Sequence, residues 1–294
     1  MFAPHRPRFN LLFLALTVFE VPIQASVAEG PAGRTERVLL LGDSWVHVMW
    51  LAKSLGTVFA EEGFPEIIER GDNTAVGGTR ADQWRKPERL AILTRELAEH
   101  PTIDIVHVSL GGNDFFNSWK VSLSDEEEAR VLDLIASNLE VVVNHILAQR
   151  ENLTVLLCGY AYLNFEEPRA SGAVPWCAEE GDLSIYSKLG KPTPSELNEG
   201  LRKLEDRKAA LAEKNPRVAH VNNLGLMQYE YGYPSKGIAP KTVPLPEGDP
   251  SLPSPPEALN LGQDCAHLSP EGYKALARNC FEKFYRERFD DTSR

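Results

Sequence analysis

Short apolar runs recur along the chain at Val38 to Leu41, Ile105 to Leu110, Val155 to Cys158 and Val218 to Val221, with a weaker one at Ile67 to Ile68. Runs of this length suit strands buried on both faces, as in a parallel sheet. The intervals between them carry helical signals. Ser124-Asp125-Glu126-Glu127 is a capping box ahead of a helical stripe at Val131, Leu134, Ile135, Leu139, Val142, Val143 and Ile146. Thr193-Pro194-Ser195-Glu196 is a second box, followed by Leu197, Leu201, Leu204 and Leu211, and Ser269-Pro270 opens a third helix expected to run to about Phe289. Strands alternating with helices imply right-handed crossovers and a parallel sheet between two helix layers.

The chain has 294 residues, 43% hydrophobic and 25% charged, which fits a folded globule rather than a disordered tail or a polytopic membrane protein. A formal charge of −11 repels phosphate backbones and anionic headgroups, so nucleic acid is not an expected partner and neither is stable membrane insertion. Arg6 and Arg8, the short apolar stretch Leu11 to Phe19 and the small residues Ala25 to Ala28 read as a secretory signal over residues 1–28. The remainder, 29–294, is expected to be one domain, secreted or periplasmic. Its four cysteines, Cys158, Cys177, Cys265 and Cys280, are compatible with two disulfides in any of three pairings.

Two connections, 161–192 and 223–263, exceed ordinary loops, and the second holds eight prolines. Tyr160, Tyr162, Phe165, Trp176, Tyr229, Tyr231 and Tyr233 crowd into or beside them. Two readings stand: these rings grip a substrate, or they anchor the loops.

The first run ends in Gly42-Asp43-Ser44, just before a helix expected from about Trp45. Ser44 therefore sits at the carboxyl end of a strand, where open parallel sheets bind ligands. Serine at such a turn is often only a helix cap, and the flanks are not a Gly-x-Ser-x-Gly elbow because position 46 is Val. Spacing favours chemistry. Gly78 follows Ser44 by 34 residues and Asn113, in Gly111-Gly112-Asn113-Asp114, follows Gly78 by 35, each interval being about one βα unit. All three should return to one edge, where a glycine amide and an Asn side chain can bind an oxyanion.

Of seven histidines, His5 lies in the signal, and His100, His107, His145 and His220 sit at a helix end, in a helix or in strands. His47 has no evident acid to orient it. His267 follows Asp264 by three residues at the end of the proline-rich loop, so the carboxylate can hold one ring nitrogen while the other faces a serine.

Gly42-Asp43-Ser44, Gly78, Gly111-x-Asn113-Asp114 and Asp264-x-x-His267 resemble, in order, the four signature blocks of the SGNH/GDSL hydrolase superfamily. The resemblance covers Val38 to Tyr273, and Asp264 to Tyr273 is its most specific part. It implies a flavodoxin-like three-layer α/β/α sandwich on a five-stranded parallel sheet. It also implies Ser44 as nucleophile, Asp264 and His267 as its partners, and an oxyanion hole of the Ser44 amide, Gly78 and Asn113. Trp45 and the lack of glycine at positions 45 to 50 depart from many members and bear on substrate shape.

The expected activity is hydrolysis of carboxylic esters, with short acyl or O-acetyl groups favoured, on a small-molecule, lipid or polysaccharide substrate and with no cofactor or metal. An acyltransferase using the same triad is a variant of this reading. One alternative is a metallophosphoesterase using Gly71-Asp72-Asn73 and Gly112-Asn113-Asp114 as metal-binding turns. Another is a non-catalytic carbohydrate- or lipid-binding module on a hydrolase scaffold.

Overall fold

The computed structural model describes residues 33–167, 174–260 and 264–291; the expected signal segment lies outside them. Five strands, β1 (Thr35–Gly42), β2 (Ile67–Arg70), β3 (Ile105–Ser109), β4 (Thr154–Cys158) and β5 (Val218–Val221), form one sheet in the order 2-1-3-4-5. All neighbours are parallel, with Val38 opposite Ile105, Ile105 opposite Thr154 and Val155 opposite Val218. This is the flavodoxin-like doubly wound order, whose switch point lies between β1 and β3. The apolar runs are explained by depth. Val38 to Leu41 are fully buried, β3 and β4 are buried throughout, and half-exposed positions fall in the edge strands β2 and β5 and at the start of β1, Thr35 to Arg37.

The helices separate into two layers that pack among themselves. One contains α1 (Ser44–Leu51), α2 (Ser54–Glu61) and the C-terminal helix that begins at Pro270. The other contains α3 (Ala81–Trp84), α4 (Pro87–Glu99), α6 (Asp125–Gln149) and the helix Pro194–Glu213, with α5 (Gly112–Ser118) packed on α6. Both predicted capping boxes form, at Ser124 with Glu127 and at Thr193 with Glu196. The C-terminal helix departs from expectation. It is α-helical over Pro270–Cys280, turns π-helical over Phe281–Tyr285, and resumes over Arg286–Asp291. The wider turn lets Phe281, Phe284, Tyr285 and Phe289 all bury their rings, three of them around Phe59.

The two long connections fold back on the domain rather than hanging from it. Asn164 donates to Ser254 O at 2.8 Å, and Gln228 and Asn198 both donate to Leu252 O at 2.8 Å. Tyr160, Tyr162, Phe165 and Tyr233 are buried anchors, whereas Trp176 is 40% exposed. One disulfide, not two, is present, joining Cys177 to Cys265. Cys158 and Cys280 are buried thiols with sulfurs 3.5 Å apart. Their mutual hydrogen bond and burial push the Cys158 thiol well above its usual range. Among the described residues no helix is long and apolar enough to cross a membrane.

Candidate active site

The turn after β1 is built by close backbone approach. Gly42 has φ +147°, and a Cβ there would lie 1.9 Å from Ser109 O, so only glycine lets β1 and β3 end side by side. The helix cap that follows is Asp43, not Ser44: its Oδ1 accepts the Trp45 amide at 3.0 Å. Ser44 is thus the first helical residue, one position earlier than expected, and its hydroxyl is relieved of capping. Its amide belongs to the first turn, where helix N–H groups lack intrahelical partners.

Across 223 residues, His267 Nε2 meets Ser44 Oγ at 2.7 Å. His267 Nδ1 meets Asp264 Oδ2 at 2.7 Å, and Asp264 Oδ1 accepts the amides of Ala266 and His267 at 2.9 and 3.1 Å. Burial pushes the Asp264 carboxyl up, but the His267 bond and these two amides outweigh it and hold it below the usual carboxylate range. The side chains of His267 and Asp264 are 22% and 9% exposed, so the pair is sheltered but reachable. Every other described histidine is engaged elsewhere: His47 with Ala75 O, His100 with Glu36, His107 with Tyr285, His145 with Leu90 O and His220 with Glu205.

Ser44, Asn113 and His267 line one small cavity of about 50 Å³, together with Phe116, Trp176 and Ile185. Asp264 stands behind His267. Gly78 is not part of the cavity lining, but its neighbour Gly77 lies beside Ser44, since a Cβ on Gly77 would be 3.9 Å from Ser44 Cβ. Gly78 takes the left-handed conformation, φ +74°, with open space on its Cβ side. One amide hydrogen of Asn113 is engaged with Thr79 O at 3.1 Å, leaving the second. Asp114 fastens the same two loops, accepting the amides of Ala81 and Asp82 at 2.7 and 3.1 Å.

The sequence assigned no role to Asp43, Phe116 or Ile185; it offered Asp114 only as part of a metal-binding turn and Trp176 only as one of the loop aromatics that grip a substrate or anchor a loop. Asp43 and Asp114 adjoin the motif residues and were the two with a local signal. Trp176 enters the site because Cys177 is bonded to Cys265, which lies between Asp264 and His267.

The proposed metal-binding turns have other work. Asp114 holds amides, Asn73 donates to Glu96 Oε1 at 2.6 Å, and Asp72 faces Arg70 at 3.5 Å. Among the described residues, two other groups bring three ligand atoms together. In Cys177, Asp264 and Cys265 the sulfurs are bonded to each other, while His107, Cys158 and Cys280 are buried and do not line the cavity.

The chain is similar to known proteins over most of its length. The family model GDSL-like Lipase/Acylhydrolase matches residues 35–280. No curated protein sequence matches the chain significantly. Among solved structures, the chain is similar to a candidate platelet activating factor from Streptococcus pneumonia at 17% identity and a TM-score of 0.50, with 86% of each chain covered. It is also similar to a carbohydrate esterase family 3 protein from Talaromyces cellulolyticus, at 11% identity, a TM-score of 0.46 and coverage of 87% and 99%. A third is an extracellular lipase from Streptomyces rimosus, at 15% identity, a TM-score of 0.44 and coverage of 84% and 99%. With a family match over most of its length and the family's blocks along one edge of a 2-1-3-4-5 sheet, the chain belongs to the GDSL-like lipase/acylhydrolase family and is an ester-bond hydrolase.

Proposed function

We propose that the protein is an exported serine esterase that hydrolyses carboxylic esters bearing short acyl or O-acetyl groups through Ser44, His267 and Asp264. The observation that carries this reading is the unbroken hydrogen-bond chain from Ser44 Oγ through His267 to Asp264. Ser44 Oγ attacks the ester carbonyl while His267 Nε2 takes its proton, and Asp264 holds the ring in the tautomer that can do so. The tetrahedral oxyanion rests on the Ser44 and Gly78 amides and the free amide hydrogen of Asn113. His267 then returns its proton to the leaving alcohol, and water, deprotonated by the same imidazole, releases the acid.

The preference for short acyl groups is supported by the cavity, whose walls of Phe116, Trp176 and Ile185 leave about 50 Å³ beside the serine. Export is supported by the basic, apolar and small-residue order of residues 1–28 and by the Cys177–Cys265 bond, a linkage that persists in oxidising compartments. The folded unit is then a single hydrolase domain after residue 28.

A panel of p-nitrophenyl esters from acetate to decanoate tests the reading. Turnover is expected to be highest with acetate or propionate and to vanish in Ser44→Ala and His267→Ala. A fluorophosphonate should label Ser44 in the wild type and nothing in Ser44→Ala. Undiminished turnover in Ser44→Ala refutes the nucleophile, and failure of the wild type both to turn over and to label favours a binding module.

A further inference from the structure

The hydroxyl of Tyr160 joins the two loops that meet at the site. Tyr160 lies just beyond β4 and is 4% exposed. Its Oη donates to Asp43 Oδ2 at 2.6 Å and accepts the Gly112 amide at 3.0 Å. One hydroxyl therefore spans the residue before Ser44 and the residue before Asn113. Gly112 permits this because it has no side chain; a Cβ there would lie 2.8 Å from Tyr160 Cζ. The ring itself is held on two sides. Trp45 meets it edge-on with centroids 5.1 Å apart, and Lys208 Nζ lies 4.2 Å from its centroid.

Lys208 is a costly residue to find there. It and Glu205 are each 2% exposed, paired at 2.8 Å, and the other Glu205 oxygen meets His220 Nε2 at 2.7 Å. Buried charges persist only where paired, and a hydrophobic residue of similar size is often at least as stabilising. A cation under the Tyr160 ring has a use beyond stability: it attracts the ring face and fixes the ring plane.

We propose that Tyr160 is a positioning residue that holds Ser44 and Asn113 in mutual register, its hydroxyl joining the Asp43 turn to Gly112 and its ring resting on Lys208. Register matters because oxyanion donors act only near 3 Å from the developing charge, and a displacement of about 1 Å can cost on the order of 10²-fold in rate. The inference rests on Ser44 as nucleophile and Asn113 as oxyanion donor. It also assigns Tyr160 an electrostatic effect. Burial pushes the Asp43 carboxyl up to about 6, and the Tyr160 hydroxyl, the Trp45 amide, Lys208 and His267 all oppose that rise. Tyr273 also faces Asp43 electrostatically. The ionised Asp43 carboxylate is the form that caps the helix opened by Ser44, through the Trp45 amide at 3.0 Å, so loss of the Tyr160 hydroxyl, which lifts Asp43 further, loosens that turn at a higher pH and moves the acid limb of activity up.

The test compares Tyr160→Phe, Asp43→Asn and the double variant with wild type and Ser44→Ala, measuring kcat and KM for p-nitrophenyl acetate from pH 5 to 9. Tyr160→Phe keeps the ring over Lys208. It is expected to lower kcat on the order of 10-fold, the value of a hydrogen bond to a charged group, with KM changed less than about 2-fold. Its acid limb should move up, and the double variant should be no slower than Asp43→Asn alone, because both act through one contact. An unchanged kcat and an unmoved acid limb in Tyr160→Phe, with Ser44→Ala inactive, overturn the proposal; activity in Ser44→Ala instead overturns the nucleophile. Should Tyr160→Phe not fold, Gly112→Ala replaces it, since the added methyl displaces the hydroxyl from its partners. The same loss of kcat and the same pH shift are expected, and wild-type kcat in Gly112→Ala overturns the proposal.

Discussion

Breaking the Cys177–Cys265 disulfide should damage stability and selectivity together, because it ties the turn carrying Trp176 to the turn carrying Asp264 and His267. The two cysteines are 88 residues apart, and in the chain-entropy model closing a loop of that length contributes about 4.6 kcal/mol at 25 °C. From Gly33 onward the sequence has 262 residues. At roughly 2.1 cal/mol/K per residue its unfolding entropy is about 0.55 kcal/mol/K, so the loss corresponds to a fall of about 8 °C in Tm. Cys177→Ser/Cys265→Ser is the cleaner perturbation, with thermal melts followed by circular dichroism and dithiothreitol on the wild type as a parallel arm. Cys158 and Cys280 are already thiols, so reductant acts on one bond. Freed from Cys265, Trp176 no longer bounds the cavity rigidly, and the ratio of acetate to octanoate kcat/KM is expected to fall. A change in Tm below about 2 °C, with an unaltered acyl-length profile, would refute the reasoning that this bond organises the site.

Asn113→Ala should reduce kcat by ~10²-fold and leave KM near wild type, the signature of a donor engaged chiefly in the transition state; equal losses in binding would contradict it. Trp176→Ala should raise the relative rate on octanoate over acetate by opening the cavity, readable in the same ester panel. Burial pushes Glu205 up, but Lys208 and His220 outweigh it and bring it down to about 2. A carboxyl lowered by folding contributes stability that is complete above its unfolded range near 4.5 and is lost as pH falls toward 2. At about 1.4 kcal/mol per pH unit the wild type should lose on the order of 3 kcal/mol more than Glu205→Gln across that window, measured by urea unfolding. Lys208→Met, which strands Glu205, should cost about 3–5 kcal/mol at pH 7 by the same measurement, and a cost below about 1 kcal/mol would show that the pair is not organising the core.

The sheet and the chain order of the motifs could be read from sequence because their signals are local. A strand buried on both faces must be apolar along its length, and Val38 to Leu41 and Val155 to Cys158 meet that demand in consecutive letters. The capping boxes at Ser124 and Thr193 are likewise four-residue patterns. Spacing of about one βα unit between Ser44, Gly78 and Asn113 suffices to bring their strands' ends to one edge.

Tertiary structure alone decided the cysteine pairing, the depth of the loop aromatics, the transfer of the cap from Ser44 to Asp43, and the contacts of Tyr160. Nothing near Cys177 distinguishes Cys265 from Cys158 or Cys280 as its partner; proximity across 88 residues follows from how two loops fold over one sheet. Tyr160 and Trp176 are equally aromatic and equally loop-borne, yet one is buried against Lys208 and the other borders the cavity. Backbone hydrogen bonds and apolar burial are demands each short segment must satisfy for itself, so they are written locally. Which polar groups meet inside a packed interior depends on every segment at once, and becomes legible only when the chain has closed.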